Sequence, residues 1–331
     1  MRILRDIGFS QAPLAVMCAI GVIWGAVAAM LPDIKTRIGL NDVAFGTILL
    51  TAGGGAMLAM ALAPRIQAVA PRGGLIIAAI GMAVSIAPLG LADTVMTFTI
   101  VMVALGVMTG LADILANAHV AELEAHHERS LMNLNHGGYS IVYAVTAILT
   151  GAAREAAVPP EIWFLMVGGA VAFLCGFTRV RPIPPAIDQT PVIPPRSMSG
   201  PIILIGCVVL IGFFAEHAAE GWSALHIERT LGGGATEGAL GPAMLGLTMG
   251  IGRMCSHFLS VRGREAQILA TGAMVAGAGL IMAALAPAPI FAYFGFGLFG
   301  LGVSVIAPLA LAMAGQMAPQ HSGRAPFPML R

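Results

Sequence analysis

Apolar positions cluster along the chain in runs of about twenty residues, and short polar stretches separate them. A helix needs roughly 20 apolar residues to cross a bilayer. The runs predict ten spans: Leu14–Leu31, Val43–Ala63, Leu75–Ala92, Val95–His119, Asn133–Ala153, Ile162–Thr178, Pro201–Glu220, Ala239–Leu259, Ile268–Ala286 and Ile290–Met313. Within the fourth run Gly106, Gly110, Asp113 and Asn117 step by four, three and four. On a helix they share one stripe. The glycines admit a neighbouring backbone, and the next two positions present a carboxyl and an amide. A carboxylate in hydrocarbon costs about 2.5–3.5 kcal/mol on insertion scales. The stripe is therefore expected to face other helices or a wet cavity.

Residues 179–199 break the pattern with Pro182, Pro184, Pro185, Pro191, Pro194 and Pro195. Such a stretch reads as an extended linker. It divides a six-helix half (1–178) from an incomplete half of about four helices (200–313), followed by a short tail (314–331). The halves echo each other. Ile34-Lys35-Thr36-Arg37-Ile38-Gly39 follows the first span and Ile227-Glu228-Arg229-Thr230-Leu231-Gly232 the seventh, and each leads into a span ending near an arginine, Arg65 or Arg253. Duplicated halves joined by a linker are a transporter architecture.

Composition agrees. The chain is 58% hydrophobic and 10% charged, with a mean hydropathy of +0.89, where a soluble domain carries roughly 25% charged residues. The expected class is an all-α polytopic membrane protein. A net charge of +1 without a basic run gives no nucleic-acid partner. Ala26-Val27-Ala28 fits a signal-peptidase site, but the run around it is long, and the first span is expected to stay. Cys18, Cys175, Cys207 and Cys255 lie in apolar runs without Cys-x-x-Cys spacing and read as small buried hydrophobes. With the N-terminus inside, thirteen Lys and Arg residues fall on the inside and four (Lys35, Arg37, Arg154, Arg229) outside. The bias places both termini in the cytoplasm.

Four motifs carry a family likeness: Leu31-Pro32-x-Ile34-Lys35 with Gly39-Leu40-Asn41-Asp42; Gly110-Leu111-x-Asp113-x-x-x-Asn117-x-His119; Asn135-His136-Gly137-Gly138-Tyr139-Ser140; and Ala215-Glu216 through Glu220-Gly221-Trp222-Ser223. In this order the chain resembles the major facilitator superfamily (MFS), in the YbjJ-like branch related to fucose permease. The resemblance implies a helical bundle that moves a small solute by alternating access with a proton, and it gives Asp113 the proton and Asn117 the matching amide. The partners it implies are a small-molecule solute and the lipid bilayer, and no cofactor is needed beyond a proton gradient; the oligomeric state is open, with a monomer expected. The expected location is the bacterial inner membrane. The chain departs from the family in two places. The loop after the second span reads Pro64-Arg65-Ile66-Gln67-Ala68-Val69-Ala70-Pro71-Arg72 without the usual acid, and His257 stands where an Asp is expected after Gly252-Arg253. Residues 314–331 hold Pro319, Pro326 and Pro328 and are too short to span, so the last two of the family's twelve helices are read as missing. An inactive fragment or interaction remnant is the alternative to a transporter. A membrane-bound enzyme lacks a catalytic constellation in this sequence.

The remaining candidates divide by setting. Glu216 and Glu220 lie one turn apart and share a face, with His217 beside them. As a pair in low dielectric they could share a proton, with Trp222 stacking on solute. The other reading is a wet outer helix end. Trp24 lines a cavity or packs. His119 and His136 flank a loop and cap helix ends or gate. Arg65 and Arg253 are gating candidates by position, and Arg253, with Arg262 and Arg264, also reads as a headgroup anchor. Glu122, Glu124, His126, His127 and Glu128 lack metal-ligand spacing and read as a solvated cluster. Gly295-Phe296-Gly297-Leu298-Phe299-Gly300 matches a dinucleotide fingerprint but sits in an apolar run without a preceding strand, so close helix packing is expected. Gly232-Gly233-Gly234 lacks a following Gly-Lys-Ser/Thr and reads as a turn.

Overall fold

The computed structural model describes residues 2–71, 73–179, 199–256 and 263–317. Every regular element among them is helical: α1 (Arg2–Phe9), α2 (Gln11–Ile38), α3 (Asp42–Val69), α4 (Gly74–Ile86) continued by a 3₁₀ turn (Ala87–Leu91), α5 (Val95–His127), α6 (Met132–Glu155), α7 (Pro160–Cys175), α8 (Ser199–Leu231), α9 (Ala235–Ser256), α10 (Glu265–Ala284), α11 (Pro289–Val303) and α12 (Ile306–Met317). Each of the ten apolar runs falls on a helix. Seven helical segments are at once long and apolar enough to cross a bilayer. The three runs outside that set lie on α6 and α9, which carry more polar residues, and on α7, which is short. His257, most of the proline-rich stretch (residues 180–198) and residues 318–331 lie outside the described residues.

Three boundaries differ from the sequence reading. α1 is an additional helix that was not expected. Its Asp6 meets Arg129 of the α5–α6 turn, with Arg129 Nε 2.6 Å from Asp6 Oδ1. The last run is two helices, α11 and α12, rather than one. Pro308 offers no N–H to the Ser304 carbonyl, and its ring crowds that carbonyl, so the helix is interrupted there. α8 runs on to Leu231, well past Glu220.

The turns show the duplication in backbone form. α2 ends at Gly39 with φ +72°, and α8 is followed by Gly232 with φ +73°. Both occupy the left-handed region that glycine enters without a Cβ clash. The two glycines are 193 positions apart (232 − 39), as are the first residues of α3 and α9, Asp42 and Ala235 (235 − 42). Packing repeats as well. Gly106 of α5 lies against the Ala52 carbonyl of α3, and Gly300 of α11 lies against the Leu245 carbonyl of α9. This offset places Met60 opposite Arg253, so the sequence pairing of Arg253 with Arg65 is corrected.

Helices meet through small residues, as expected where lipid supplies no drive for association. One buried cluster spans α2 to α5 and α7, and a second spans α8 to α12. Between them α6 packs on α9. A Cβ on Gly250 would lie 3.0 Å from Ser140 Cβ, and one on Gly246 would lie 2.5 Å from the Tyr143 ring. Ala29, Ala144, Ala147, Ala239 and Ala243 form a buried alanine patch where α2, α6 and α9 meet. Gly295 and Gly302 of the fingerprint region fit against α10, so that stretch is packing surface. Large apolar side chains such as Leu50, Met57, Leu210, Phe214 and Ile281 lie on the outside of the bundle, as a hydrocarbon solvent allows.

Candidate functional site

The polar groups of α5, α6, α8 and α9 converge at the junction of the two halves. Arg37 at the end of α2 donates to the carbonyls of Gly90 and Ala92, and Arg229 at the end of α8 donates to Asp42. These bonds place the α2–α3, α4–α5 and α8–α9 turns at one end of the bundle, called here the hairpin end. From that end Asp113 is 18 residues into α5 and Arg253 18 residues into α9, roughly 27 Å at 1.5 Å per residue. Glu216 is 15 residues from the end of α8, roughly 22 Å. The three therefore lie at similar depth, well inside the bundle.

Arg253 organises the junction. Its guanidinium donates to Ser140 Oγ of α6 at 3.1 Å and lies 3.5 Å from Glu216 Oε1 of α8. Asp113 is half-buried and within electrostatic reach of Arg253. Asn117, one turn on, meets His136 of α6, with Nε2 3.1 Å from Oδ1. The carbonyl accepts, so Nε2 carries the proton in this contact. His136 thus joins α5 to α6 and does not cap a helix end. Arg253 is 8% exposed, which overturns its reading as a headgroup anchor. Glu216 and Glu220 are 7% and 6% exposed. The wet helix end is overturned too, because α8 continues for about three turns beyond Glu220.

Glu220 is held on one side only. Its Oε2 lies 3.1 Å from His217 Nδ1, while Oε1 is buried without a protein partner. Tyr143 Oη and Ser223 Oγ are buried and unpartnered as well. Tyr143 is within electrostatic reach of Glu220, and the Tyr139 and Tyr143 rings lie 6.0 Å apart along α6. Buried polar atoms ordinarily find partners, so each of these three atoms is an unmet hydrogen-bonding demand.

A different network ties the halves at the hairpin end. Arg154 of α6 donates to both carboxylate oxygens of Asp33 on α2 at 2.9 and 2.6 Å, to both of Glu228 on α8 at 2.6 and 2.9 Å, and to the Ala29 carbonyl at 2.8 Å. All five N–H donors of a guanidinium are then used. Beside it Asp42 meets Lys35 at 2.9 Å and Arg229 at 2.8 Å. A groove of about 830 Å³ opens next to these groups between α8, α10 and α11, lined among others by Phe214, Trp222, Ser223, His226 and Phe296.

The other candidates are more dispersed. Trp222 contacts Phe45 edge to face at 5.2 Å and lines that groove. Trp24 packs half-buried against the first-half core. Arg65 is exposed at the end of α3, away from the junction. His119 Nδ1 sits 3.3 Å from Glu122 Oε2 on its own helix. No grouping that could hold a metal occurs among the described residues. Glu124 accepts the backbone N–H of Met132 at 2.8 Å and so caps α6. The sequence reading gave no site role to Tyr143 or the Arg154 network, and it quoted Ser223 only as part of a motif. Tyr143 follows Tyr139 by one turn, and that spacing was the available signal.

The Major Facilitator Superfamily model matches residues 14–326. The chain belongs to this superfamily. It is 26% identical over 303 residues to an uncharacterised MFS-type transporter of Yersinia pestis, covering 89% of this chain and 77% of that protein. It is 24% identical over 310 residues to an uncharacterised transporter of Sinorhizobium fredii, covering 92% and 82%. Solved structures share the fold. A bacterial homologue of the human lysosomal transporter Spinster, inward-facing and occupied, has a TM-score of 0.64 at 14% identity, covering 91% of this chain and 72% of that one. A D-xylose–proton symporter has 0.62 at 16%, covering 94% and 86%. FucP in the outward conformation has 0.56 at 14%, covering 93% and 91%. This MFS protein is a multi-pass membrane protein of a carrier family, and the match favours a transporter over an inactive remnant.

Proposed function

We propose that this MFS chain is a secondary active transporter that carries a small solute across the bacterial inner membrane by alternating access, with the proton as coupling ion. The observation that carries the reading is the array of half-buried Asp113 with buried Arg253 and Glu216, which links α5 of one half to α8 and α9 of the other. A group whose surroundings change between wet and dry as the halves rock can take up and release a proton. Asp113 is the proton carrier in this reading. Asn117, Glu216 and Glu220 bind solute or relay charge. His136 couples α5 to α6, and Trp222 and Trp24 flank the path. Arg253 latches the halves, and Arg65 and His119 gate the other end. Both termini are cytoplasmic, which places the hairpin end outside. A YbjJ-like placement within the family fits the motifs of the first, fourth, fifth and seventh spans.

The test is transport in proteoliposomes across a solute panel, with and without a pH gradient, read with an internal pH dye and labelled solute. Asp113→Asn is expected to abolish gradient-driven accumulation while leaving solute–solute exchange intact. Unaltered accumulation in that variant removes Asp113 from the mechanism.

A further inference from the structure

The short helix α1 presents two unlike faces. On a helical wheel Ile3, Leu4 and Ile7 fall within about 100° of arc, and Asp6 and Phe9 are turned away from them. The second face is docked on the protein. Asp6 pairs with Arg129 of the α5–α6 turn at 2.6 Å, and Arg129 Nη2 donates to its other oxygen at 3.0 Å. The Phe9 ring stacks on His127 of α5, with centroids 4.0 Å apart and planes 16° from parallel. Just beyond the helix Asn135 of α6 donates to Ser10 Oγ at 2.6 Å, and both residues are fully buried. The first face stays outside the bundle: Ile3, Leu4 and Ile7 are exposed, Leu4 at 73%.

Position decides what covers that face. α1 is set off from α2 at Ser10, where ψ is 12° and Pro13 offers no N–H to the Phe9 carbonyl. Ser10 stands four residues before the first apolar run opens at Leu14, about 6 Å along the helix. A bilayer about 40–45 Å thick with a core of about 30 Å leaves a headgroup layer of about 5–7 Å on each side. α1 therefore meets the headgroup layer at the end of the bundle opposite the hairpins. There a short helix with an apolar arc and a flanking cation, here the exposed Arg5, has the pattern of an interfacial segment. Water would leave three large apolar side chains exposed together, whereas the acyl boundary covers them. We propose that α1 is a membrane-surface anchor: its Ile3–Leu4–Ile7 face is seated between phospholipid headgroups and acyl chains, and its Asp6–Phe9 face holds the α5–α6 turn at that surface.

The experiment uses the full chain in phosphatidylcholine–phosphatidylglycerol vesicles, with Cys18, Cys175, Cys207 and Cys255 replaced by alanine. A polarity-sensitive fluorophore is attached through Leu4→Cys or, as a water-facing reference in the α5–α6 turn, through Ser130→Cys. The Leu4 label is expected to emit at shorter wavelength, to lose emission to lipids carrying a nitroxide near the headgroup, and to resist aqueous iodide. The Ser130 label should show the reverse. Adding Ile3→Asn and Ile7→Asn should return the Leu4 label to water. Both side chains lie outside the buried clusters, so the melting temperature of the bundle should hold. Asp6→Asn separates the two faces: the Leu4 label should stay in lipid while a spin label at Ser130 gains mobility. The inference is overturned if the Leu4 label is quenched by iodide and untouched by nitroxide lipid, or if Asp6→Asn alone sends it to water. It is overturned too if protection appears only at high protein-to-lipid ratio, because the face is then a contact between copies. Transport enters none of these readouts, so the transporter reading stands or falls separately.

Discussion

Two polar networks tie the halves together, and they differ in how completely they are satisfied. At the hairpin end Arg154 is 3% exposed and all its donors are used, by two carboxylates and a carbonyl. At the junction Arg253 meets Glu216 at 3.5 Å, and nearby oxygens of Glu220, Tyr143 and Ser223 have no protein partner. A fully paired array recovers the desolvation of its members and holds a geometry. A partly paired array in low dielectric keeps an unmet demand. The first arrangement suits a clamp and the second suits a site that something else completes. Position agrees with this. The clamp lies where α2, α6 and α8 end, and the unpartnered oxygens belong to residues further from those ends, on α6 and α8.

The sharpest way to break this contrast is Arg154→Ala. It leaves Asp33 and Glu228 without their cation; Glu228 is 16% exposed but Asp33 is 45% exposed and screened by water, so the cost is expected at the low end of a buried pair, about 3 kcal/mol. The expected readout is a large drop in melting temperature in detergent. Arg253→Ala should cost less, about 1–2 kcal/mol, because its ion pair with Glu216 is looser, at 3.5 Å against 2.6 Å for Arg154 and Glu228. Its larger effect should fall on proton-driven transport. The double change Arg253→Met with Glu216→Leu removes both charges and should recover most of that stability, without recovering transport. A melt in which Arg253→Ala is the more damaging variant would make the junction the structural clamp and reverse the contrast. The smallest effect is expected at Asp42. Asp42 and Arg229 are exposed where water screens them, and the buried Lys35 keeps its bond to the Leu40 carbonyl at 2.8 Å without Asp42. Asp42→Asn should leave the melting temperature within experimental scatter, and a clear loss would extend the clamp to the α3 cap.

The stripe in α5 shows what was legible. Gly106 and Gly110 were expected to admit a neighbour, and they pack on Ala52 and Ala56 of α3. Asp113 and Asn117 were expected to face protein, and they are half-buried at the junction. The end of α8 shows what was not. Residues Gly221 to Leu231 include Ser223, His226, Glu228 and Arg229, and hydropathy reads such a stretch as a loop. It stays helical, and three of these side chains have protein partners: Glu228 meets Arg154, Arg229 meets Asp42 and His226 meets the Ala283 carbonyl. Arg253 misled for the mirror-image reason. An arginine near an apolar run reads as an anchor at the membrane surface, whereas the α6–α9 packing turns it inward to Ser140 and Glu216.

By itself the sequence determined the apolar runs that became membrane helices, the membrane as their solvent and the repeat at Gly39 and Gly232. Each of these depends on neighbouring residues: on the length of an apolar run, or on a glycine that tolerates positive φ. Tertiary structure decided which charges meet. Arg154 is 121 residues from Asp33 and 74 from Glu228, and Arg253 is 113 from Ser140. Periodicity cannot encode such pairings, because they follow from how closely small residues let whole helices approach.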